Sequence, residues 1–79
     1  MRVRVKLFGL ALRMYPDIDP ENGMEVEMPE GAILLDLIRH LKITNRSGIF
    51  LSVDGKIGRW DTKLEEGARV EIRIIMTGG

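Results

Sequence analysis

Two segments with strictly alternating side chains lie at opposite ends of this chain, and they restrict its possible folds more than any other feature. Residues 2–8 alternate basic side chains with Val3, Val5 and Leu7, and residues 69–76 place valine, isoleucine or methionine at every second position. A period of two is typical of a strand that buries one face and exposes the other. We therefore expect the chain to begin and end with half-buried strands of a sheet.

Shorter strands are predicted between these ends. Residues 24–28 alternate methionine or valine with glutamate, and residues 49–53 are mostly apolar and precede Asp54-Gly55, a tight-turn signal that leads into a short segment near Lys56. If residues 24–28 pair antiparallel with the first strand, their glutamates lie opposite its basic side chains. The basic stripe is then a solvated strand face rather than a nucleic-acid contact.

One segment has the period of a helix instead. Apolar side chains recur at i, i+3, i+4 and i+7 from Leu34 to Leu41, which is the pattern of one amphipathic helix of about three turns. His40, the chain's one histidine, lies off this stripe and is expected in solvent rather than as a base or metal ligand. Beyond the helix, Trp60 and Leu64 are expected to cover one end of the core.

The order of these segments predicts an α+β fold. A strand pair, one main helix, two shorter strands and a strong last strand form a mixed sheet of four to five strands, with the helix on one face. The crossover through the helix lets the first and last strands lie side by side and parallel in the sheet centre. We expect one domain at 1–76 and a flexible tail at 77–79.

Composition excludes several classes of function. The 79 residues contain no cysteine, which rules out disulfides, thiolate metal sites and a cysteine nucleophile, and the formal net charge is +0, which disfavours direct nucleic-acid binding. The run Asp17 to Gly23 has the wrong spacing for a calcium loop. No metal site and no catalytic residue is predicted. Without an apolar run of about 20 residues or a signal-peptide pattern, we expect no membrane association and a cytoplasmic protein.

The tail, Thr77-Gly78-Gly79, carries the most interesting functional group. A diglycine can pass through a channel too narrow for side chains, and it presents an unhindered carboxylate that is ionised at neutral pH. Thr77 and Gly78 are thus candidate threading residues, and Gly79 is the candidate site of covalent attachment. The alternative is a terminus that carries glycine by chance.

Taken together, the chain resembles the ubiquitin-like β-grasp sulfur carriers of thiamin and molybdopterin synthesis. The resemblance covers nearly the whole chain and rests on residues 3–9 (VRVKLFG), 34–38 (LLDLI), 53–55 (VDG) and 64–72 (LEEGARVEI), followed by the diglycine. The long loop from Leu10 to Asn22 carries no signature that assigns one pathway.

The resemblance implies that the Gly79 carboxylate attacks the α-phosphate of ATP on a separate E1-like adenylating enzyme. A sulfur donor of the cysteine desulfurase or rhodanese type then gives a C-terminal thiocarboxylate, which passes its sulfur to a molybdopterin or thiamin synthase or to a tRNA-thiolating enzyme. The chain binds no cofactor, because ATP is used by the partner, and it is a carrier rather than an enzyme. Two alternatives stay open: a modifier that forms isopeptide bonds through Gly79, and a binding module with an inert tail.

Side-chain parity also predicts a partner-docking surface. If the alternating apolar residues of the strands face the core, then Phe8, Phe50 and Ile75 point to the opposite face and cluster near the root of the tail. Exposed apolar clusters of this kind commonly mark partner sites. The alternative is that the loop from Leu10 to Asn22 folds over them.

Overall fold

The computed structural model describes residues 1–43 and 48–75 of the chain. Its strands and helices, in chain order, are β1 Arg2–Gly9, α1 Ala11–Met14, β2 Met24–Glu27, α2 Leu34–His40, β3 Ile49–Val53, β4 Lys56–Ile57 and β5 Arg69–Ile74. The strands form a five-stranded sheet in the order β2-β1-β5-β3-β4. The predicted α+β architecture is therefore confirmed.

The two alternating segments form the centre of the sheet, as predicted. β1 and β5 are parallel, with Val5 beside Val70 and Leu7 beside Ile72. β2 pairs antiparallel with β1, and β3 pairs antiparallel with the other edge of β5. Every second residue of β5 is buried, which gives the sheet one core face and one open face.

Helix α2 covers the core face, and it ends earlier than the periodicity predicts. The Asp36 carboxylate accepts a hydrogen bond from the Ile33 N–H at 2.9 Å, which satisfies one donor at the helix start. The helix has seven residues, about two turns, and Leu41 follows it in a single further turn. Lys42 then takes a φ of 60°. The predicted apolar stripe is buried as expected, and His40 is exposed.

A single cluster of buried apolar residues lies between α2 and the sheet. Its members are Val3, Val5, Leu7, Ala11, Val26, Met28, Ala32, Leu34, Leu37, Ile38, Leu41, Ile43, Leu64, Ala68, Val70, Ile72 and Ile74. Ala11 comes from the long loop, where the sequence predicted no helix and the structure has α1. That helix has four residues, too few for a helical period to show in the sequence.

The long loop packs on the core face. Leu12, Tyr15 and Ile18 lie against the core, and the Tyr15 hydroxyl donates a hydrogen bond to the Leu41 carbonyl at the end of α2. Further along, the Asn22 side-chain amide donates to Asp19, and this hydrogen bond lowers the pKa of the Asp19 carboxyl. This hydrogen bond stabilises the turn between Asp19 and Asn22 within the loop.

The prediction for Trp60 was wrong. Leu64 is buried in the core, but the Trp60 side chain is 38% exposed. The reason lies in the backbone: the N–H groups of Leu34 and Leu35 donate to the carbonyls of Thr62 and Trp60 at 2.9 and 3.0 Å. This segment therefore satisfies the first turn of α2 with its main chain and leaves the indole at the surface.

Candidate functional site

The residues predicted to carry the chemistry, Thr77, Gly78 and Gly79, lie outside the described residues. The described part of the chain reaches Ile75, one residue beyond β5. The described part of the candidate site is therefore the end of β5 and the surface around it.

The end of β5 is held by backbone hydrogen bonds on both sides. The Ile74 carbonyl accepts a hydrogen bond from the Leu10 N–H at 2.9 Å, and the Ile75 N–H donates to the Gly48 carbonyl at 3.1 Å. Gly9 lies against this corner with a φ of +64°, and a Cβ at Gly9 would lie 2.5 Å from the Ile74 oxygen. Only glycine fits both the backbone conformation and the close approach. The β1–α1 corner thus fixes where the chain leaves the sheet.

The open face carries an apolar cluster at the same end. We define the open-face patch as Phe8, Phe50, Ile57 and Ile75. Phe50 is 57% exposed, Ile75 is 45% exposed and Ile57 is 92% exposed, while Phe8 is half-buried. The register places Phe8 and Phe50 on either side of Arg73, in one row across three strands. The parity prediction for the exposure of Phe50 and Ile75 is therefore confirmed.

Two cations account for the partial burial of Phe8. The Arg73 guanidinium lies 5.0 Å from the centroid of the Phe8 ring, and the Lys6 ammonium lies 5.8 Å from it. Both distances fall within the range of cation–π attraction. The long loop packs Leu12, Tyr15 and Ile18 on the core face, and its end reaches the open face only at the β2 edge, where the Arg4 guanidinium donates to the Asn22 carbonyl at 2.9 Å. Phe50 and Ile57 border an open depression that also includes Ser52 and Glu71.

Sequence reasoning missed Ile57 as a member of the patch. β4 has only two residues, too short for an alternating pattern, so the parity of Ile57 could not be read from the sequence. The register shows which face Ile57 lies on. Ile57 is opposite Ser52, which lies on the same face of β3 as Phe50. The Asp54-Gly55 turn signal could have placed the pairing, since a tight hairpin fixes the register of its two strands.

Away from the patch, the open face is charged. At the β2 edge, the Arg2 guanidinium lies 3.1 Å from Glu27, and the Arg4 guanidinium lies 2.9 Å from Glu25. These are the predicted cross-strand pairs. The hydrogen bond to Glu27 raises the pKa of Arg2. Both pairs are exposed, so solvent and salt screen them and they contribute little to the stability of the fold.

Residues 1–43 and 48–75 contain neither a candidate cluster of metal ligands nor a helix able to cross a membrane. Within these ranges, no group of three or more histidine or acidic side chains is placed to hold a metal ion. Over the same ranges, no helix is long and apolar enough to cross a membrane.

Comparison with known proteins agrees with the predicted fold. The model of the ThiS family matches residues 5–79. No curated protein matches the sequence. Among solved structures, a protein titled molybdopterin converting factor, subunit 1, from Pyrococcus furiosus is 23% identical, with a TM-score of 0.77 over 96% of this chain and 99% of that one. SAMP1 from Haloferax volcanii is 13% identical, with a TM-score of 0.79 over 100% of both chains. At these identities the likeness concerns the fold, and it confirms the predicted ubiquitin-like β-grasp.

Proposed function

The chain belongs to the ThiS family of β-grasp sulfur carriers, and from that premise we propose that it carries sulfur as a thiocarboxylate on Gly79. The observation that carries the proposal is the extent of the family match, which runs through the diglycine to the last residue. The proposal is supported by the position of β5, whose end is held by the backbone hydrogen bonds of Ile74 and Ile75 four residues before Gly79.

The chemistry requires activation first. A carboxylate resists nucleophilic attack because its negative charge is shared by two oxygens. In the proposed reaction, a Gly79 oxygen attacks the α-phosphorus of ATP and the bond to the β-phosphate breaks, which gives an acyl-adenylate and pyrophosphate. Hydrosulfide then attacks the acyl carbon and AMP leaves, so that the product is a thiocarboxylate. Neither step changes the oxidation state of carbon or sulfur.

The partners follow from what this chain lacks. It has no cysteine to hold a persulfide, and no catalytic group was predicted from its sequence. We assign ATP binding to an E1-like adenylating enzyme, and sulfur use to a synthase of molybdopterin or thiamin formation or to a tRNA-thiolating enzyme. We assign sulfur supply to a cysteine desulfurase or rhodanese-type donor, whose enzyme-bound persulfide releases hydrosulfide when two thiols reduce it and become a disulfide. The protein acts as a carrier subunit that these enzymes bind in turn.

We further assign the open-face patch to docking of the activating enzyme. Exposed aromatic and isoleucine side chains release ordered water when they are covered, and such groups dominate binding energies at protein interfaces. The patch lies on the side of β5 next to the tail root, because Ile75 belongs to both. An enzyme that covers the patch is therefore positioned to receive Thr77, Gly78 and Gly79.

The test is an intact-mass measurement. The full chain is incubated with the E1-like enzyme of its own cell, ATP and sodium sulfide, and the C-terminal peptide is expected to gain the mass difference between sulfur and oxygen. Deletion of Gly79 should abolish the change, while His40→Ala, at an exposed site on α2, should leave it intact. A parent protein that forms lysine adducts but never a thiocarboxylate would identify a modifier instead. No change of either kind would identify a binding module.

A further inference from the structure

Positive charge is concentrated in the centre of the open face. The arginines at the β2 edge are ion-paired, as described above. In contrast, Lys6, Arg69 and Arg73 have no carboxylate oxygen within 4.0 Å among residues 1–43 and 48–75. Arg73 lies over the Phe8 ring, but Arg69 has no such contact in the same part of the chain. The centre of the face therefore holds cations that the described fold does not neutralise.

Two of these cations line a notch in the sheet surface. We call it the cationic notch, and its lining residues are Arg4, Lys6, Gly55, Arg69, Val70 and Glu71. The β1–β5 register places Arg4 beside Arg69, and like charges on neighbouring strands repel. This arrangement opposes folding slightly, and a bound anionic group would relieve it.

Carboxylates near the notch offset part of its positive charge: Glu71 lies opposite Lys6 on the neighbouring strand, and Asp54 accepts a hydrogen bond from the Arg69 backbone N–H at 2.9 Å. The Glu71 carboxylate accepts a hydrogen bond from the Ser52 hydroxyl at 3.1 Å. The Glu25 carboxylate accepts a hydrogen bond from the Arg4 guanidinium at 2.9 Å, at the β2 edge. Asp19 lies outside ion-pair distance of Lys6 and interacts with it through longer-range attraction only. Within residues 1–43 and 48–75 no carboxylate oxygen lies within 4.0 Å of the Lys6 ammonium or the Arg69 guanidinium, so both can still pair with an external carboxylate.

The notch is continuous with the open-face patch. Arg69 and Arg73 lie on the same face of β5 four residues apart, or about 13 Å at about 3.3 Å per residue. A protein interface of ordinary size covers about 800 Å² on each partner, which is large enough to include both features. One partner can therefore bury the patch and reach the notch.

The surroundings of the notch favour a protein over a nucleic acid. Glu25 and Glu27 line the adjoining β2 edge and would repel a phosphate backbone that continues past the notch. The chain as a whole has a formal net charge of +0, which gives no general attraction for nucleic acid. An acidic segment on a protein with an apolar surface beside it matches both features of the face.

We propose that an acidic segment of the activating enzyme binds in the cationic notch, with carboxylates between Arg4, Lys6 and Arg69, while the enzyme covers the open-face patch. This inference rests on the proposed function, which supplies the partner. It adds an electrostatic part to an interface whose other part is apolar. Association should then weaken as salt is added, because exposed charges are screened over about 10 Å at 0.1 M ionic strength.

Arg69→Glu tests the proposal. In the mass assay with the activating enzyme, we expect KM to rise about tenfold at low salt, with kcat unchanged, and the salt dependence of KM to flatten. The matched control is Arg59→Glu, the same charge change at a site that is 84% exposed and follows the β4 edge. Its KM should stay within about twofold of the parent. The melting temperature of Arg69→Glu should stay close to that of the parent, because the new carboxylate attracts Arg4 but is repelled by Glu71 and Asp54.

The outcomes separate this inference from the function on which it rests. If the parent is activated and Arg69→Glu has the same KM at every salt concentration, the notch does not bind the enzyme. If the parent is never activated, the proposed function fails, and the notch is then tested by titrating the protein with hexaglutamate and with a 12-nucleotide RNA. Amide shifts at Lys6 and Arg69 that hexaglutamate induces in the parent but not in Arg69→Glu support the proposal. No shifts, or tighter binding of RNA, overturn it.

Discussion

At the scale of single residues, Gly9 controls the exit of the chain from the sheet. It lies between Phe8 of the patch and Leu10, and the Leu10 N–H donates a hydrogen bond to the Ile74 carbonyl. A Cβ added at Gly9 would lie 2.5 Å from the oxygen of that carbonyl. A side chain there must displace the end of β5. The proposed chemistry takes place at Gly79, five residues beyond Ile74, so we expect a displaced strand end to impair activation.

We predict that Gly9→Ala lowers kcat/KM for activation by about tenfold or more, since misplacement by about 1 Å can cost a hundredfold. The matched control is Gly31→Ala. Gly31 has a φ of +83°, similar to the +64° of Gly9, but no described atom lies within 4 Å of its Cβ position. Both variants should lose about 1–2 kcal/mol of stability from the backbone conformation. Gly9→Ala should lose more than this, because its Cβ would lie 2.5 Å from the Ile74 oxygen.

The difference between the two glycine variants is therefore the informative measurement. Amide shifts of Ile74 and Ile75 should change in Gly9→Ala and stay unchanged in Gly31→Ala. Equal losses of activity in the two variants would mean that the effect is general destabilisation and that Gly9 has no positioning role.

At the scale of secondary structure elements, strand parity decides which side chains form the open-face patch. We predict that Phe50→Asp and Ile75→Asp each raise the KM for activation at least tenfold while the protein stays folded, because both side chains are exposed and central to the proposed interface. The control is Met14→Asp. Met14 is 46% exposed, like Ile75 at 45%, but it lies on α1.

Measurement of KM together with far-UV circular dichroism separates the possible explanations. Loss of structure in Phe50→Asp would show that the side chain stabilises the sheet. An unchanged KM in both folded variants would remove the patch from the docking surface. A similar rise in Met14→Asp would place the contact elsewhere.

The lengths of the strands and helices explain which of them the sequence could predict. The long strands and α2 were predicted correctly because burial of one face imposes a period that several residues repeat. α1 and the position of Ile57 were not, because a four-residue helix and a two-residue strand are too short to repeat anything. Trp60 was predicted to cover one end of the core together with Leu64. Its exposure results from backbone hydrogen bonds to α2, which leave no trace in side-chain patterns.

At the scale of the whole molecule, the sheet separates the buried core from the proposed docking surface. The core face is covered by α2 and the long loop, and the open face carries the patch and the cationic notch. The sequence predicted the patch because exposed apolar residues contradict the alternation around them. It did not predict the notch, because the alternation indicates that the first and last strands pair but not the register that places Arg4 beside Arg69.

This division leads to a prediction with two isoleucines. Ile72 is 0% exposed in the central strand, and Ile57 is 92% exposed at the sheet edge. Removal of a buried isoleucine side chain to alanine costs about 2–5 kcal/mol, whereas most surface substitutions change stability by about 0.5 kcal/mol or less. A domain of this length has a total stability of about 4–12 kcal/mol. Ile72→Ala should therefore remove a large fraction of that stability, and Ile57→Ala almost none.

Urea unfolding measures the first effect, and the KM for the activating enzyme measures the second. We expect Ile72→Ala to lower the unfolding midpoint with an unchanged m-value, and to be activated with the parent's KM at temperatures where it is folded. Ile57→Ala should keep the parent's midpoint but raise KM, because its side chain belongs to the open-face patch. If Ile57→Ala instead lost as much stability as Ile72→Ala, the open face would contribute to the core, and the exposure of Ile57 would no longer point to a partner. An unchanged KM would confine the docking surface to Phe8, Phe50 and Ile75.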